Sequence, residues 1–152
     1  MLALIHSERS FRRDTRGSVL VETSLALLLA LPVIFSVFEL CLFVYTQAIL
    51  GDAARLGTRY AIVHGSDSST CSGPSTGCSD PSGAQIVTAV QGYAAASFSP
   101  LGGIAVTPSW PDGSSAPSSR IVVTVRYNYS PFFNNTGFIF PMYATSEGRI
   151  VF

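Results

Sequence analysis

Residues 19–38 read VLVETSLALLLALPVIFSVF, an apolar run interrupted by one charge, Glu22. At about 1.5 Å rise per residue such a helix spans roughly 30 Å, the thickness of a bilayer's hydrocarbon core. Continuing to Leu50 adds only one further charge, Glu39. A core helix of this length rarely stays apolar on every face. The run therefore reads as a single transmembrane helix, residues 18–50. The apolar core of a cleaved secretory signal is shorter, about 7–15 residues, and ends at a small-x-small site. Gly51-Asp52-Ala53 offers only a poor version of one.

A short basic leader, residues 1–17, precedes the run and carries Arg9, Arg12, Arg13 and Arg16 against Glu8 and Asp14. Arginine outweighs acids in setting topology, which predicts an N-terminus in the cytoplasm and a C-terminus outside. Apolar residues make up 47% of the chain and charged ones 12%, which excludes an intrinsically disordered polymer. A formal net charge of +0 excludes a generic electrostatic nucleic-acid binder. Membrane lipid, not nucleic acid, is the expected surrounding.

Glu22 is the anomaly. A carboxylate inside a bilayer is expensive unless partnered, and its partner should be named. One alternative is a position close enough to the interface to stay hydrated. Its context is Arg16-Gly17-Ser18-Val19-Leu20-Val21-Glu22: basic leader, glycine, apolar helix, and a glutamate at the fifth residue after the glycine. This resembles the processing site of type IV prepilins and pseudopilins. The resemblance implies cleavage by a prepilin peptidase between Gly17 and Ser18. It also implies that Glu22 pairs with the free N-terminal ammonium of a neighbouring subunit. Each charge is costly alone in lipid, and each offsets the other.

A closer resemblance joins Gly17, Val21, Glu22, Pro32 and Glu39 to the run Ala53-Ala54-Arg55-Leu56-Gly57-Thr58-Arg59-Tyr60-Ala61. Over residues 12–64 the chain looks like the TadE-like family, minor pseudopilins of the tight-adherence (Flp-type) pilus machinery. Two positions depart from the family's habit: Thr23 stands where a Phe is common, and Leu40-Cys41-Leu42 are apolar. The resemblance implies a bacterial cytoplasmic-membrane protein, single-pass, whose partners are other pseudopilins, pilus assembly proteins and the prepilin peptidase.

The helix is expected to continue outward as an amphipathic stalk, residues 51–64. Ile49, Ala53, Leu56, Tyr60 and Val63 form its apolar stripe, and Asp52 can pair with Arg55. Pro32 predicts a kink near Leu28. His64 closes the helix, where a lone histidine more often meets the last carbonyls than a metal. Residues 65–152 form the head. Its first stretch is a Ser/Gly/Pro-rich loop holding Cys71 and Cys78. Outside the cytoplasm these two form a disulfide, adding about 2.5 kcal/mol on a chain-entropy basis. Asp80-Pro81 predicts the start of a second helix over 81–97. Strands are expected over 104–107, 120–129 and 141–152, with Ile121, Val123, Val125, Tyr127 and Tyr129 on one face. The class is α+β: a long N-terminal transmembrane helix and stalk carrying a small helix-plus-antiparallel-sheet head. Phe132, Phe133, Phe138, Phe140 and Tyr143 either fill the head's core or form a sticky patch for a partner subunit. The small size of the head favours the core.

Chemistry is thinly represented. The head's serines lie mostly in loops, and its carboxylates Asp67, Asp80, Asp112 and Glu147 show no paired spacing. No catalytic residue, cofactor or metal site is expected, so the chain reads as a structural subunit, not an enzyme. The alternative is an uncleaved, single-pass anchor whose head binds an extracytoplasmic partner.

Overall fold

A computed structural model of the chain describes residues 15–97, 103–132 and 137–151. Residues 1–14, most of the expected leader, and Phe133 of the aromatic cluster lie outside the described residues. The elements are α1 (Thr15–Val63), α2 (Ala84–Ser97), β1 (Ala105–Ser109), β2 (Arg120–Tyr129) and β3 (Phe140–Arg149). This is the α+β arrangement the sequence predicts. The contacts divide into two compact units, with the break between Phe38 and Glu39.

In the first unit, every side chain described from Gly17 to Phe38 is exposed. An apolar helix exposed all round suits lipid, not water. Among the described residues, α1 is the one helix long and apolar enough to cross a membrane. Its hydroxyls close on its own backbone. Thr23 donates to the Val19 carbonyl (2.5 Å), Ser24 to that of Leu20 (2.7 Å) and Ser36 to that of Pro32 (2.7 Å). The helix is unbroken across Pro32.

In the second unit, β2 lies between β1 and β3 and is antiparallel to both. Arg120 opposes Arg149 and Tyr129 opposes Phe140, so one hairpin joins β2 to β3. Pro108, with no amide to donate, falls on the edge strand β1. The period-2 pattern of β2 is realised: Ile121, Val123, Val125 and Tyr129 are buried and Tyr127 is half-buried. That face is closed by Leu50, Ala53, Ala54 and Ala61 of α1 and by Ile86, Val90 and Ala94 of α2, making two layers around one core.

Three expectations are corrected. The buried stripe of α1 starts at Ile49 and Ala53 as predicted, then turns onto Ala54, Gly57, Thr58 and Ala61; Leu56 and Tyr60 are half-buried and Val63 is exposed. The cause is close approach. A Cβ on Gly57 would lie 2.6 Å from Val90 Cγ2, and one on Gly148 of β3 would lie 2.7 Å from both Thr58 Cγ2 and Ile62 Cδ1. Only small residues fit between the layers. Second, α2 begins at Ala84, three residues beyond Pro81. Gly83, at φ 75°, turns the chain, and its carbonyl accepts the first helical bond from Val87 N (3.2 Å). Third, Phe132, Phe138, Phe140 and Tyr143 are exposed, not core. The strand and helix aliphatics already fill the interior, and these aromatics lie at and near the hairpin's loop end.

Candidate functional site

α1 carries two carboxylates in its apolar stretch, and their surroundings differ. Glu22 stands one turn after Ser18, four residues on and so on the same helical face. It is exposed among leucines and valines and accepts no hydrogen bond from any described residue. Gly17 and Ser18 are exposed too, and a Cβ on Gly17 would meet nothing within 4 Å. The backbone ahead of Glu22 is thus unobstructed by other described parts of the chain.

Glu39 is half-buried and fully engaged within the second unit. The Tyr129 hydroxyl donates to its Oε1 at 2.5 Å. The Phe132 amide donates to both oxygens, at 3.2 and 3.4 Å. The Tyr129 ring meets Phe43 edge-on, with centroids 5.6 Å apart. Burial, followed by the hydrogen bond to Glu39 and its charge, pushes the Tyr129 hydroxyl well above its ordinary value, so it remains a donor. Sequence reasoning placed Glu39 among the family positions and Tyr129 on the inward face of β2, but did not join them. The available signal was a buried tyrosine hydroxyl in need of a partner and one helix acid beyond Glu22 in the apolar stretch.

Several other polar residues hold the fold together. Cys71 and Cys78 form the expected disulfide, with Cα atoms 5.0 Å apart. Asp80, just beyond it, accepts from Ser72 (2.9 Å), Ser82 (3.1 Å) and the amides of Ala84 (2.9 Å) and Gln85 (2.8 Å). Burial alone would raise its carboxyl; these bonds together outweigh that and hold it below the ordinary value. His64 stacks on Tyr60 at 4.0 Å, with Nδ1 2.8 Å from the Tyr60 carbonyl oxygen. Arg55 pairs with Asp52 at 3.1 Å on the exposed face of α1. Cys41 is an exposed free thiol on the same helix.

The arrangement is a candidate membrane-spanning helix with one carboxylate, Glu39, hydrogen-bonded inside the chain and one, Glu22, exposed with no hydrogen bond from the described residues. The family model for TadE-like proteins matches residues 17–59, from the glycine before the apolar run to the second arginine of the outer half of α1. No curated protein and no solved structure matches the chain. Over residues 17–59, which carry Glu22, Pro32, Glu39 and the Ala53–Arg59 motif, the chain is similar to TadE-like proteins.

Proposed function

We propose that the chain is a minor pseudopilin-like structural subunit of a tight-adherence pilus assembly system, matured by prepilin peptidase after Gly17. The observation that carries the reading is Glu22: an ionisable group in the apolar stretch of α1 that is exposed throughout from Gly17 to Phe38, with no hydrogen-bond donor from the described residues. In lipid such a group needs an opposite charge. Cleavage between Gly17 and Ser18 would create one, the ammonium of Ser18, on every subunit. Within one chain that ammonium is a helical turn away; between axially staggered chains it meets the neighbour's Glu22 and sets register. The family match begins at Gly17 and includes Glu22, which supports the same placement.

In this reading residues 1–17 are a cytoplasmic leader, 18–50 the membrane helix, 51–64 the stalk and 65–152 an exported head. The subunit spans the bacterial inner membrane once, N-terminus in and C-terminus out. Its work is non-covalent assembly with other pseudopilins, not catalysis.

The test is N-terminal sequencing of the protein extracted from membranes of cells with and without the prepilin peptidase. The expected first residue is Ser18 when the peptidase is present, and the leader is retained when it is absent. A leader retained in both strains overturns the proposal in favour of an uncleaved anchor with a partner-binding head.

A further inference from the structure

The β2–β3 hairpin does not end with the core. Its loop end runs along α1, and three contacts give the direction. Gln47 Nε2 donates to the Tyr143 carbonyl (3.1 Å), Phe43 packs on Tyr129, and Glu39 accepts from Phe132 N. Gln47, Phe43 and Glu39 are successive turns of one helix, each four residues closer to the apolar segment. The hairpin therefore advances two turns, about 12 Å, along this helix from Gln47 to Glu39, the first residue of its unit.

Residues 19–38 already account for a hydrocarbon core of about 30 Å. Glu39 is the next residue, so a group bonded to it lies at the edge of that core. The headgroup layer adds roughly 5–7 Å on each face. Phe132, Phe138, Ile139 and Phe140 sit at this end of the hairpin, and their exposures run from 78% at Phe132 to 50% at Phe140. On α1 itself, Leu40 and Val44 remain exposed, and burial begins only at Thr46. If the span slides outward to take in these residues, the hairpin end sinks deeper. Between Arg126 and Glu147 the sequence contains no charged residue, so nothing in that stretch resists the interface electrostatically. Exposed apolar side chains such as Phe bury at the boundary of headgroups and acyl chains, and a large exposed apolar patch marks an interaction surface.

We propose that the end of the β2–β3 hairpin is a membrane foot: Phe132, Phe138, Ile139 and Phe140 insert into the headgroup layer of the leaflet from which α1 emerges. The Glu39 bonds to Tyr129 and Phe132 hold the foot against the helix and supply a carboxylate at the lipid edge with donors. The second contact fixes how the head stands on the membrane and requires no pilus partner.

The test uses the full chain in phosphatidylethanolamine–phosphatidylglycerol vesicles, with or without acyl chains brominated near the headgroup. Trp110, the chain's one tryptophan, follows β1 next to the partner of Val122. It is about 23 Å along β2 from Tyr129 and serves as the remote reference. In Phe138→Trp, bromination is expected to remove more than half of the added emission, while the wild-type emission of Trp110 changes by less than about a tenth. Ile139→Trp gives an independent reading from the adjacent exposed position. Added emission that is unquenched and blue-shifted means a second protein copy covers the patch; unquenched and red-shifted emission means water does. Either result overturns the membrane foot, whatever the outcome of N-terminal sequencing.

Discussion

Asp80 accepts hydrogen bonds from two hydroxyls and two backbone amides with one carboxylate. An asparagine has the same shape but one accepting oxygen, so the Gln85 amide and the buried Ser72 hydroxyl lose their acceptor. Asp80→Asn is expected to lower head stability by about 1–3 kcal/mol at neutral pH, read from thermal unfolding of the detergent-solubilised chain. The pH dependence has a definite sign. The folded carboxyl titrates below its unfolded value of about 3.9. Its contribution is therefore complete above that value and lost as pH falls through the lower folded one. The gap between wild type and Asp80→Asn should be constant from pH 7 to 5 and shrink below about pH 4; a gap unchanged in acid would contradict the charge-based account. Tyr129→Phe tests the other carboxylate. It removes the shortest of the three bonds to Glu39 and should cost about 1.5–3 kcal/mol in the same measurement.

Packing of α1 against the rest of its unit depends on small residues, and this is where elements differ. At Gly57 a side chain would collide with Val90 Cγ2 and crowd Val123 Cγ1, at 2.6 and 3.1 Å. Gly57→Val should destabilise by about 2 kcal/mol through overpacking. Gly92, inside α2, has nothing within 4 Å of its missing Cβ, so Gly92→Ala should stabilise by about 0.5–1 kcal/mol from helix propensity alone. Equal effects from the two substitutions, compared by denaturant unfolding, would contradict the close contact at Gly57. The same chemistry decides what was legible in the sequence. β2 could be read to the residue because its inward positions are large, β-branched and strictly alternating. The buried face of α1 could not, because Gly57, Thr58 and Ala61 carry little hydropathy and are selected by distance, not by apolar area. Gly17, Ser18 and Glu22 stood out as candidates because they lie within six consecutive residues. The Glu39–Tyr129 bond joins residues 90 positions apart, and no local pattern announces it. The exposed phenylalanines misled for a related reason: composition gives their number, but only topology puts them at a hairpin's end.

At the scale of the whole molecule the two carboxylates of α1 divide the labour. Glu39 accepts hydrogen bonds from Tyr129 and Phe132 of its own chain; Glu22 has no such partner among the described residues. Substitution at each should therefore fail in a different assay. Glu22→Gln preserves size and hydrogen bonding but removes the charge that an N-terminal ammonium would meet. The proposed cleavage falls at Gly17–Ser18, four residues ahead of Glu22, so the variant is expected still to begin at Ser18, with the same melting temperature as wild type within about 2 °C. Its recovery in sheared or affinity-isolated pilus assemblies should fall at least tenfold, which corresponds to about 1.4 kcal/mol of lost pairing. Tyr129→Phe should show the reverse, with a lowered melting temperature and near-normal recovery below it. Normal recovery of Glu22→Gln would remove the charge pair as the basis of assembly while leaving the cleavage and the lipid-facing helix intact, because neither depends on that carboxylate being ionised.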